Sequence, residues 1–185
     1  NPLTIAKQHK MVSIAQAYSI DLTGQVCIDQ FNGELYSGIG CQGEFLLGAA
    51  QSPGGKPIIC MPSTTDDGAV SRVRAALLEA ESATIARTDV HYVVTEYGIA
   101  YLFGKSIRER ATAMIDLAHP RFRPELFARA QAMGYLSAEQ TLNNLRAYPV
   151  EEEQTITLKD GRTVMLRPAL ASDAHGVREL FHHLS

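Results

Sequence analysis

The stretch from Tyr36 to Thr65 most constrains how this chain can fold. It opens on Gly38 and Gly40, continues through a short apolar segment over Phe45–Ala50, and breaks at a Pro-Gly-Gly turn before the apolar run 57–61. Glycines in a bend let the backbone approach a ligand closely, and their amides can turn toward a phosphate or an oxyanion. This order predicts a loop, a helix, a turn and a buried parallel strand, with a ligand site at the carboxyl end of the strand.

Apolar patterning predicts further elements on both sides of that stretch. Short strands are predicted around a tight turn at 21–24 and over 83–85 and 91–95, where β-branched residues are enriched. A helix is predicted from Ser106, because a glutamate three positions later completes a capping box and a His-Pro pair ends it. A second helix opens near Pro124. These elements predict an α/β fold with a mainly parallel sheet flanked by helices.

The composition indicates a globular protein and argues against several kinds of partner. Hydrophobic residues make up 45% and charged residues 20%, as in typical folded domains. The net charge of −3 gives no indication of nucleic-acid binding, and no apolar run reaches the length of a membrane span. The cysteines show no C-x-x-C spacing, which favours reduced thiols in a cytoplasmic protein over a disulfide framework or a zinc site: Cys27, Cys41 and Cys60. Because the chain does not begin with Met, we expect an excerpt of a longer polypeptide.

Three segments of the sequence resemble motifs of one protein family. They read SIAQAYSIDLTGQVCIDQ, SGIGCQGEFLLGAAQSPGGKPIICMPST and RTDVHYVVTEYGIAYLFGKSIRERATAMIDLAHPRFRPEL. All three resemble, in the same order, the acetyl-CoA hydrolase/transferase family, and together they cover most of residues 8–128. The resemblance is to the C-terminal domain of a branch of the CoA-transferase superfamily similar to 4-hydroxybutyrate CoA-transferase. It implies the NagB/RpiA/CoA-transferase type of α/β fold for residues 1–148.

The resemblance implies a part of an enzyme that moves coenzyme A from an acyl-CoA to a carboxylate, through an acyl anhydride and a glutamyl-CoA. The nucleophilic glutamate of the family lies upstream, so no catalytic nucleophile is expected here, and the isolated fragment is expected to be inactive. Backbone amides near Gly38, Gly40 and Gly43 are expected to hold the oxyanion. The residues expected to contact coenzyme A or acetyl-CoA are Gly38, Gly40, Gln42, Glu44, Phe45, Gly48, Ser63 and Arg72. The expected partners are acyl-CoA, small carboxylates, the missing N-terminal half and, in a homo-oligomer, further copies of the chain, with no metal.

The sequence allows alternative roles for several polar residues. Glu44 is the carboxylate of the loop, but the family nucleophile lies upstream, so Glu44 is not expected to attack the substrate. Cys41 is expected to be a small packed residue rather than a nucleophile, because no histidine lies near it in sequence. Arg72 either pairs with an acid or contacts the phosphates of coenzyme A. Asp21 either caps its turn or contacts substrate, and Glu96 is either a structural or a catalytic acid.

Two departures from the family pattern leave the acyl specificity open. Ala15 and Ser19 stand where the family has Asn and often Glu. Hydrolysis of acetyl-CoA on the same site is one alternative to CoA transfer. A non-catalytic acyl-CoA sensor is another, which the departures at Ala15, Ser19 and Cys41 favour.

The C-terminal tail, residues 149–185, is predicted to be a separate piece. Alternation over 155–158 and 163–166 around an Asp-Gly turn predicts a β-hairpin. The strand that ends in Arg167-Pro168 and the cap Ser172-Asp173-Ala174 resemble the start of a GCN5-related acetyltransferase domain. The pyrophosphate loop of that family is absent after the cap. The resemblance therefore implies a linker, a hairpin and a helix from a truncated domain, without acetyltransferase activity.

Overall fold

The computed structural model describes residues 1–141, 153–169, 173 and 180. The chain divides into two compact units, residues 1–141 and residues 142–185. The predicted domain boundary after residue 148 lies outside the described residues and stays a prediction.

The first unit is built from short strands and helices, numbered here in chain order. They are α1 Pro2–Ala6, β1 Val12–Gln16, β2 Ser19–Asp21, β3 Val26–Cys27, β4 Gln30–Phe31, β5 Glu34–Leu35, α2 Gln42–Gln51, β6 Lys56–Cys60, β7 Val73–Arg74, β8 Tyr92–Thr95, β9 Gly98–Tyr101, α3 Ile107–Leu117 and α4 Arg123–Ala132. One turn of 3-10 helix, Pro120–Phe122, joins α3 to α4.

Strands β1, β6, β8 and β9 form the main sheet, in that order. The first three run parallel, and β9 returns antiparallel along β8. This arrangement confirms the predicted α/β fold with a mainly parallel sheet, and the strands predicted over 57–61 and 91–95 are β6 and β8. The parallel strands all end at one edge, where open α/β sheets bind ligands.

Helices cover one face of the main sheet, which we call the inner face. Alternate strand residues point into this face and are buried, while α2 packs against β1 and β6 and α3 packs against β9. Thr95 links the two layers, because its Oγ1 donates a hydrogen bond to the Leu117 carbonyl at 2.8 Å. Each Å² of apolar surface buried in this way contributes about 25 cal/mol. The core of this layer contains Ala15, Leu46, Ala49, Ile59, Val93, Ala100, Met114 and Ile115.

A smaller sheet, in the order β3-β2-β7, follows β1 along the chain. The predicted turn at 21–24 joins β2 to β3, and Asp21 Oδ1 accepts hydrogen bonds from Thr23 N at 2.8 Å and Thr23 Oγ1 at 2.7 Å. These bonds confirm the capping interpretation of Asp21. The strand predicted over 83–85 is wrong, since only Ile85 forms a bridge, with Val26. The reason is that β3 is two residues long and offers no longer partner.

The predicted capping box at the start of α3 is confirmed. Ser106 Oγ accepts from Glu109 N at 3.3 Å, and Glu109 Oε2 accepts from Ser106 N at 2.8 Å. The bond from the Ser106 backbone is the main cause of a lowered pKa for Glu109. The helix ends at Leu117, and its C-cap Ala118 directly precedes the His-Pro pair. Pro124 lies in the first turn of α4, as predicted.

The described part of the second unit contains the predicted hairpin. Strand β10, Gln154–Thr157, pairs antiparallel with β11, Thr163–Leu166. In the turn, Arg162 and Asp160 form an ion pair at 2.7 Å. The helix predicted to follow lies outside the described residues.

The crossing of α1 over α2 depends on Gly48. A Cβ built on Gly48 would lie 2.5 Å from the Ile5 Cβ and 3.1 Å from the Pro2 carbonyl oxygen. We therefore expect Gly48→Ala to lower the free energy of unfolding by about 1–3 kcal/mol, because one helix must move off the other. Gly43→Ala on the same helix is the matched control: a Cβ there meets nothing within 4 Å, so it should be neutral or stabilise by up to about 1 kcal/mol. Urea unfolding followed by circular dichroism checks both, and wild-type stability in Gly48→Ala would contradict the packing.

His91 is expected to make stability depend on pH. Its ring centre lies 4.2 Å from that of Phe103, and burial lowers the pKa of His91, with a smaller lowering from Arg110 and an opposing effect of Asp89. The folded protein binds this proton less readily than the unfolded chain, so stability present above the ordinary histidine pKa is lost as the pH falls toward the lowered value. The urea midpoint should therefore decrease from about pH 7.5 to about pH 5.5, and decrease less in His91→Gln. His9→Gln, at an exposed position, should retain the wild-type pH dependence; an identical profile in His91→Gln would refute the assignment.

Candidate functional site

A cleft of about 480 Å³ opens at the carboxyl edge of the main sheet. We call it the strand-end cleft, because its lining residues lie at or just beyond the ends of β1, β6 and β8. They are Gln16, Cys60, Met61, Pro62, Val94, Thr95 and Glu96. Its position agrees with the rule that open α/β sheets bind ligands where their parallel strands end.

Ser63 and Glu96 hold one side of this edge together. Ser63 is fully buried, its backbone N–H donates to Glu96 Oε2 at 2.9 Å, and its hydroxyl donates to Glu96 Oε1. Glu96 therefore ties the segment after β6 to the end of β8, as the structural reading of this acid predicts. The hydroxyl of Ser63, one of the expected coenzyme A contacts, already donates its proton to this carboxylate.

A second cleft, of about 360 Å³, lies along the segments that continue from β1 and β6. We call it the aromatic cleft, and its lining residues are Tyr18, Phe31, Tyr36, Thr65, Asp66, Asp67 and Arg72. The ring centres of Tyr18 and Tyr36 are 5.2 Å apart. The segment 62–65 joins the two clefts, since Pro62 lines the first and Thr65 lines the second.

Arg72 forms one wall of the aromatic cleft in a well-anchored position. Its Nε donates to the Thr64 carbonyl at 3.0 Å, and its Nη1 donates to the Tyr18 carbonyl at 3.1 Å. Its Cζ lies 4.7 Å from the centre of the Phe31 ring, within cation–π distance. Arg72 was expected either to pair with an acidic side chain or to contact the phosphates of coenzyme A. Its hydrogen bonds go to backbone carbonyls, and no described acidic residue forms a salt bridge with it. The guanidinium group of Arg72 can attract an anion into the cleft.

The glycine loop, residues 37–43, starts at the rim of the aromatic cleft. It is anchored by a hydrogen bond from Tyr36 N to the Asp29 carbonyl at 2.8 Å. Gly40 has a φ of +63°, a conformation that favours glycine. The loop backbone is open on its outer side, because three of its glycines are exposed and a Cβ on any of them would meet nothing within 4 Å: Gly38, Gly40 and Gly43.

The loop leads into the first turn of α2, which carries other residues predicted to contact coenzyme A. Cys41 at the N-cap makes no side-chain hydrogen bond to the helix, so no side chain caps the first-turn amides, where negative charge is favoured. Glu44 and Phe45 are exposed there, and Gln42 is half-buried. Gly48 lies one turn further on, buried under α1, where the structure gives it a packing role. The prediction that Cys41 is packed is wrong, because it stands exposed at the start of the helix.

Two titrating groups at the aromatic cleft are shifted by hydrogen bonds. The Tyr36 hydroxyl donates to Glu34 Oε2 at 2.9 Å, which raises the pKa of Tyr36. Asp67 accepts hydrogen bonds from Thr65 Oγ1 at 2.5 Å and Ala69 N at 3.0 Å, and these lower the pKa of Asp67. At neutral pH Tyr36 therefore keeps its proton and Asp67 its charge. The cleft combines aromatic walls with one anchored cation and fixed negative charge.

The structure brings together only some of the residues that were predicted to contact coenzyme A. Arg72 and Ser63 are adjacent, because Arg72 N donates to the Ser63 carbonyl at 2.8 Å. Sequence reasoning missed Tyr18 and Phe31 as cleft residues. The available signal was the position of Tyr18 between β1 and β2, where the chain leaves one sheet for another.

Neither a metal centre nor a membrane span is found in the described ranges. No group of three or more His, Cys, Asp or Glu side chains there could hold a metal ion. Across the same residues, every helix is too short or too polar to traverse a bilayer. All three cysteines are unpaired.

The fold defines an α/β domain with clefts at the carboxyl edge of its parallel strands, and comparison with known proteins shows which family it belongs to. The family model described as "Acetyl-CoA hydrolase/transferase C-terminal domain" matches residues 1–130. The chain is 48% identical over 126 residues to the 4-hydroxybutyrate coenzyme A transferase of Clostridium kluyveri, a match that covers 68% of this chain and 29% of that protein. It is 48% identical over 128 residues to the succinyl-CoA:acetate/propanoyl-CoA:succinate CoA transferase of Fasciola hepatica, covering 68% and 27%.

Solved structures give the same result. RipA from Yersinia pestis superposes with a TM-score of 0.69 at 42% identity, over 74% of this chain and 30% of that one. The 4-hydroxybutyrate CoA-transferase of Porphyromonas gingivalis gives a TM-score of 0.59 at 38% identity, over 72% and 29%.

The chain therefore belongs to the acetyl-CoA hydrolase/transferase family, and residues 1–130 match its C-terminal domain. This confirms the family predicted from the three motifs. The chain spans less than a third of the length of these relatives. Nothing in these comparisons supports the acetyltransferase resemblance of the tail.

Proposed function

We propose that this chain is the C-terminal part of an acyl-CoA:carboxylate CoA-transferase that works through a glutamyl-CoA intermediate. Both curated relatives described above are CoA transferases by name. The observation that carries the proposal is the open glycine loop, which runs from the rim of the aromatic cleft into the uncapped start of α2. Exposed amides in this position suit a group that becomes negative during the reaction.

The reaction is a series of acyl substitutions. A glutamate in the preceding part of the polypeptide attacks the thioester carbonyl, and the resulting oxyanion collapses to an acyl-glutamyl anhydride as the coenzyme A thiolate leaves. The thiolate then attacks the glutamyl carbonyl, which gives glutamyl-CoA and releases the first carboxylate. An incoming carboxylate passes through the same steps in reverse. Each step exchanges one acyl bond for another, so the sequence needs neither a metal nor a redox cofactor.

The residues of this chain serve the anionic species in that series. Amides around Gly38, Gly40 and Gly43 donate hydrogen bonds to the oxyanion, aided by the positive end of α2. Arg72 attracts the phosphates or the carboxylate of the substrates, and its anchoring reduces the ordering cost of binding. The first turn of α2, with Gln42, Glu44 and Phe45, lines the approach to the loop.

Co-expression of this chain with the part of the Clostridium kluyveri relative that precedes its matching C-terminal domain tests the proposal. With acetyl-CoA and butyrate, the complex should form butyryl-CoA without loss of total thioester, and the chain alone should be inactive. Hydrolysis, which the family description also covers, would instead release coenzyme A thiol without butyryl-CoA.

Borohydride trapping locates the nucleophile independently. Borohydride reduces a glutamyl thioester to an alcohol, so quenching the complex during turnover should change the mass of a peptide from the preceding part. A changed peptide within residues 1–130 of this chain would overturn the placement of the nucleophile.

For residues 149–185 we propose a linker followed by the start of an acetyltransferase-like domain. The hairpin of β10 and β11 supports this, as does the ion pair between Arg167 and Asp173 at 2.8 Å. We further propose a cytoplasmic location, which suits three unpaired thiols.

A further inference from the structure

The face of the main sheet opposite the inner face carries two rows of side chains that cross all of its strands. The strand register places Ile14, Ile58, Tyr92 and Tyr101 side by side. The next row is Gln16, Cys60, Val94 and Ile99. We call these two rows the outer face. Apart from Gln16 on the edge strand β1 and the hydroxyl groups of Tyr92 and Tyr101, the side chains of the outer face are apolar.

Among residues 1–141 the outer face is left partly open to solvent: its middle residues, Ile58, Cys60, Tyr92 and Val94, are half-buried, and the residues at the ends of its rows are exposed. Ile14 is 68% exposed and Ile99 is 71% exposed, whereas Ala15 and Ala100, which point to the inner face, are 6% and 7% exposed. Parallel sheets occur almost only with both faces covered, because their side chains are apolar on both sides. A contiguous apolar surface of this kind on a folded unit marks an interaction site.

The outer face is continuous with the strand-end cleft. Gln16, Cys60 and Val94 belong to both, because the second row lies next to the carboxyl edge of the sheet. A layer that covers the outer face would therefore also become a wall of the strand-end cleft. Such a layer would bring its own side chains to the edge at which the parallel strands end.

We propose that the outer face is the docking surface for helices of the polypeptide that precedes this domain in family members, and that these helices complete the strand-end cleft. The identity of this occupant rests on the proposed function. The matched family model describes a C-terminal domain, and the match spans 27–30% of the relatives named above, which leaves most of each relative to supply the cover. Helices are the layer that covers the second face of a mostly parallel sheet. The adjacent rings of Tyr92 and Tyr101, 4.8 Å apart, give such helices a broad apolar platform.

The test uses the full 185-residue chain, produced together with the preceding part of the Clostridium kluyveri relative. The wild-type chain should form a one-to-one complex, measured by light scattering and by titration. Ile14→Glu and Ile99→Glu should weaken it at least about tenfold, because each would bury an unpaired carboxylate. Ile99→Thr keeps a β-branched residue in the strand and should weaken it less. Leu3→Glu is the matched control: Leu3 is 68% exposed, like Ile14, but lies on α1, which packs on the inner-face helix α2.

Chemical labelling of Cys60 reports directly on whether the outer face is covered by the partner. In a Cys41→Ser background, alkylation of the half-buried Cys60 should slow at least about tenfold on complex formation, because the thiol lies in the second row of the outer face. The unfolding midpoints of the free variants should match that of the wild-type chain, which separates a lost contact from a lost fold.

Each outcome decides the question. Equal binding by Ile14→Glu, Ile99→Glu and Leu3→Glu, unchanged labelling of Cys60 in the complex, or no complex at all would overturn the proposal. Dimers of the free chain that depend on Ile14 and Ile99 and resist the added partner would overturn it in favour of a second copy. A complex that protects Cys60 but transfers no coenzyme A would uphold the docking surface and refute the proposed reaction.

Discussion

Gly40→Val is expected to reduce kcat for CoA exchange in the assembled enzyme by about 100- to 1,000-fold, the usual loss when oxyanion stabilisation is removed. A branched side chain would enter the open space next to the loop amides, where the proposed mechanism places the oxyanion. Because that anion exists only near the transition state, KM for the acyl-CoA should change far less than kcat. Steady-state kinetics with acetyl-CoA and butyrate measures both quantities.

The control for this variant must account for backbone strain. Gly40 has a φ of +63°, so valine is strained there whatever the surroundings. Gly104, with a φ of +73° and nothing within 4 Å of a Cβ, offers the same strain in the turn after β9. Gly104→Val should lose similar stability and keep its turnover. Equal losses of kcat in the two variants would refute the oxyanion role of the loop.

Gly38→Val further separates the loss of oxyanion stabilisation from the effect of backbone strain. A Cβ at Gly38 meets nothing within 4 Å, and this residue is outside the set with positive φ. The substitution should leave the folded domain intact while it crowds the same loop. Lower kcat with an unchanged unfolding midpoint is the expected result.

Arg110→Met should cause the largest loss of stability, about 2–4 kcal/mol in the free energy of unfolding. Arg110 is buried on α3, and its Nη1 donates to the carbonyls of Thr23 at 3.1 Å and Arg87 at 2.8 Å. Its Nε donates to the Lys105 carbonyl at 3.2 Å. Burial lowers the pKa of Arg110, with a smaller lowering from Arg87. Methionine would fill most of the space but leave these carbonyl oxygens without their donor.

Arg108→Met is the matched control on the same helix. Arg108 is exposed and its Nε reaches only the Gln140 side chain, at 3.3 Å, so a change within about 0.5 kcal/mol is expected. Urea unfolding of the two variants under one set of conditions makes the comparison. Equal stabilities would show that the buried hydrogen bonds of Arg110 contribute nothing measurable.

Local signals in the sequence were enough to predict strands β6 and β8 of the main sheet and helices α2, α3 and α4. The apolar run that became β6, the β-branched run that became β8 and the Ser106 capping box each express a short-range preference. The strand predicted over 83–85 failed because a strand needs a partner, and β3 ends after two residues. Pairing over such distances leaves no local trace.

The candidate site was less accessible to sequence reasoning for the same reason. The glycine loop was visible as letters, but the aromatic cleft depends on how the segments after β1 and β6 meet. Gly48 matched a family motif, and only the crossing of α1 shows its packing role. The exposure of Cys41 depends on where α2 begins. The outer face follows from strand order, which no single strand reveals.

The close contact at Gly48 places α1 directly on the helix that begins at the glycine loop. A polypeptide that enters the domain through α1 thus touches α2 before it reaches the sheet. Any shift of α1 would therefore press first on α2, the helix whose first turn carries Gly43.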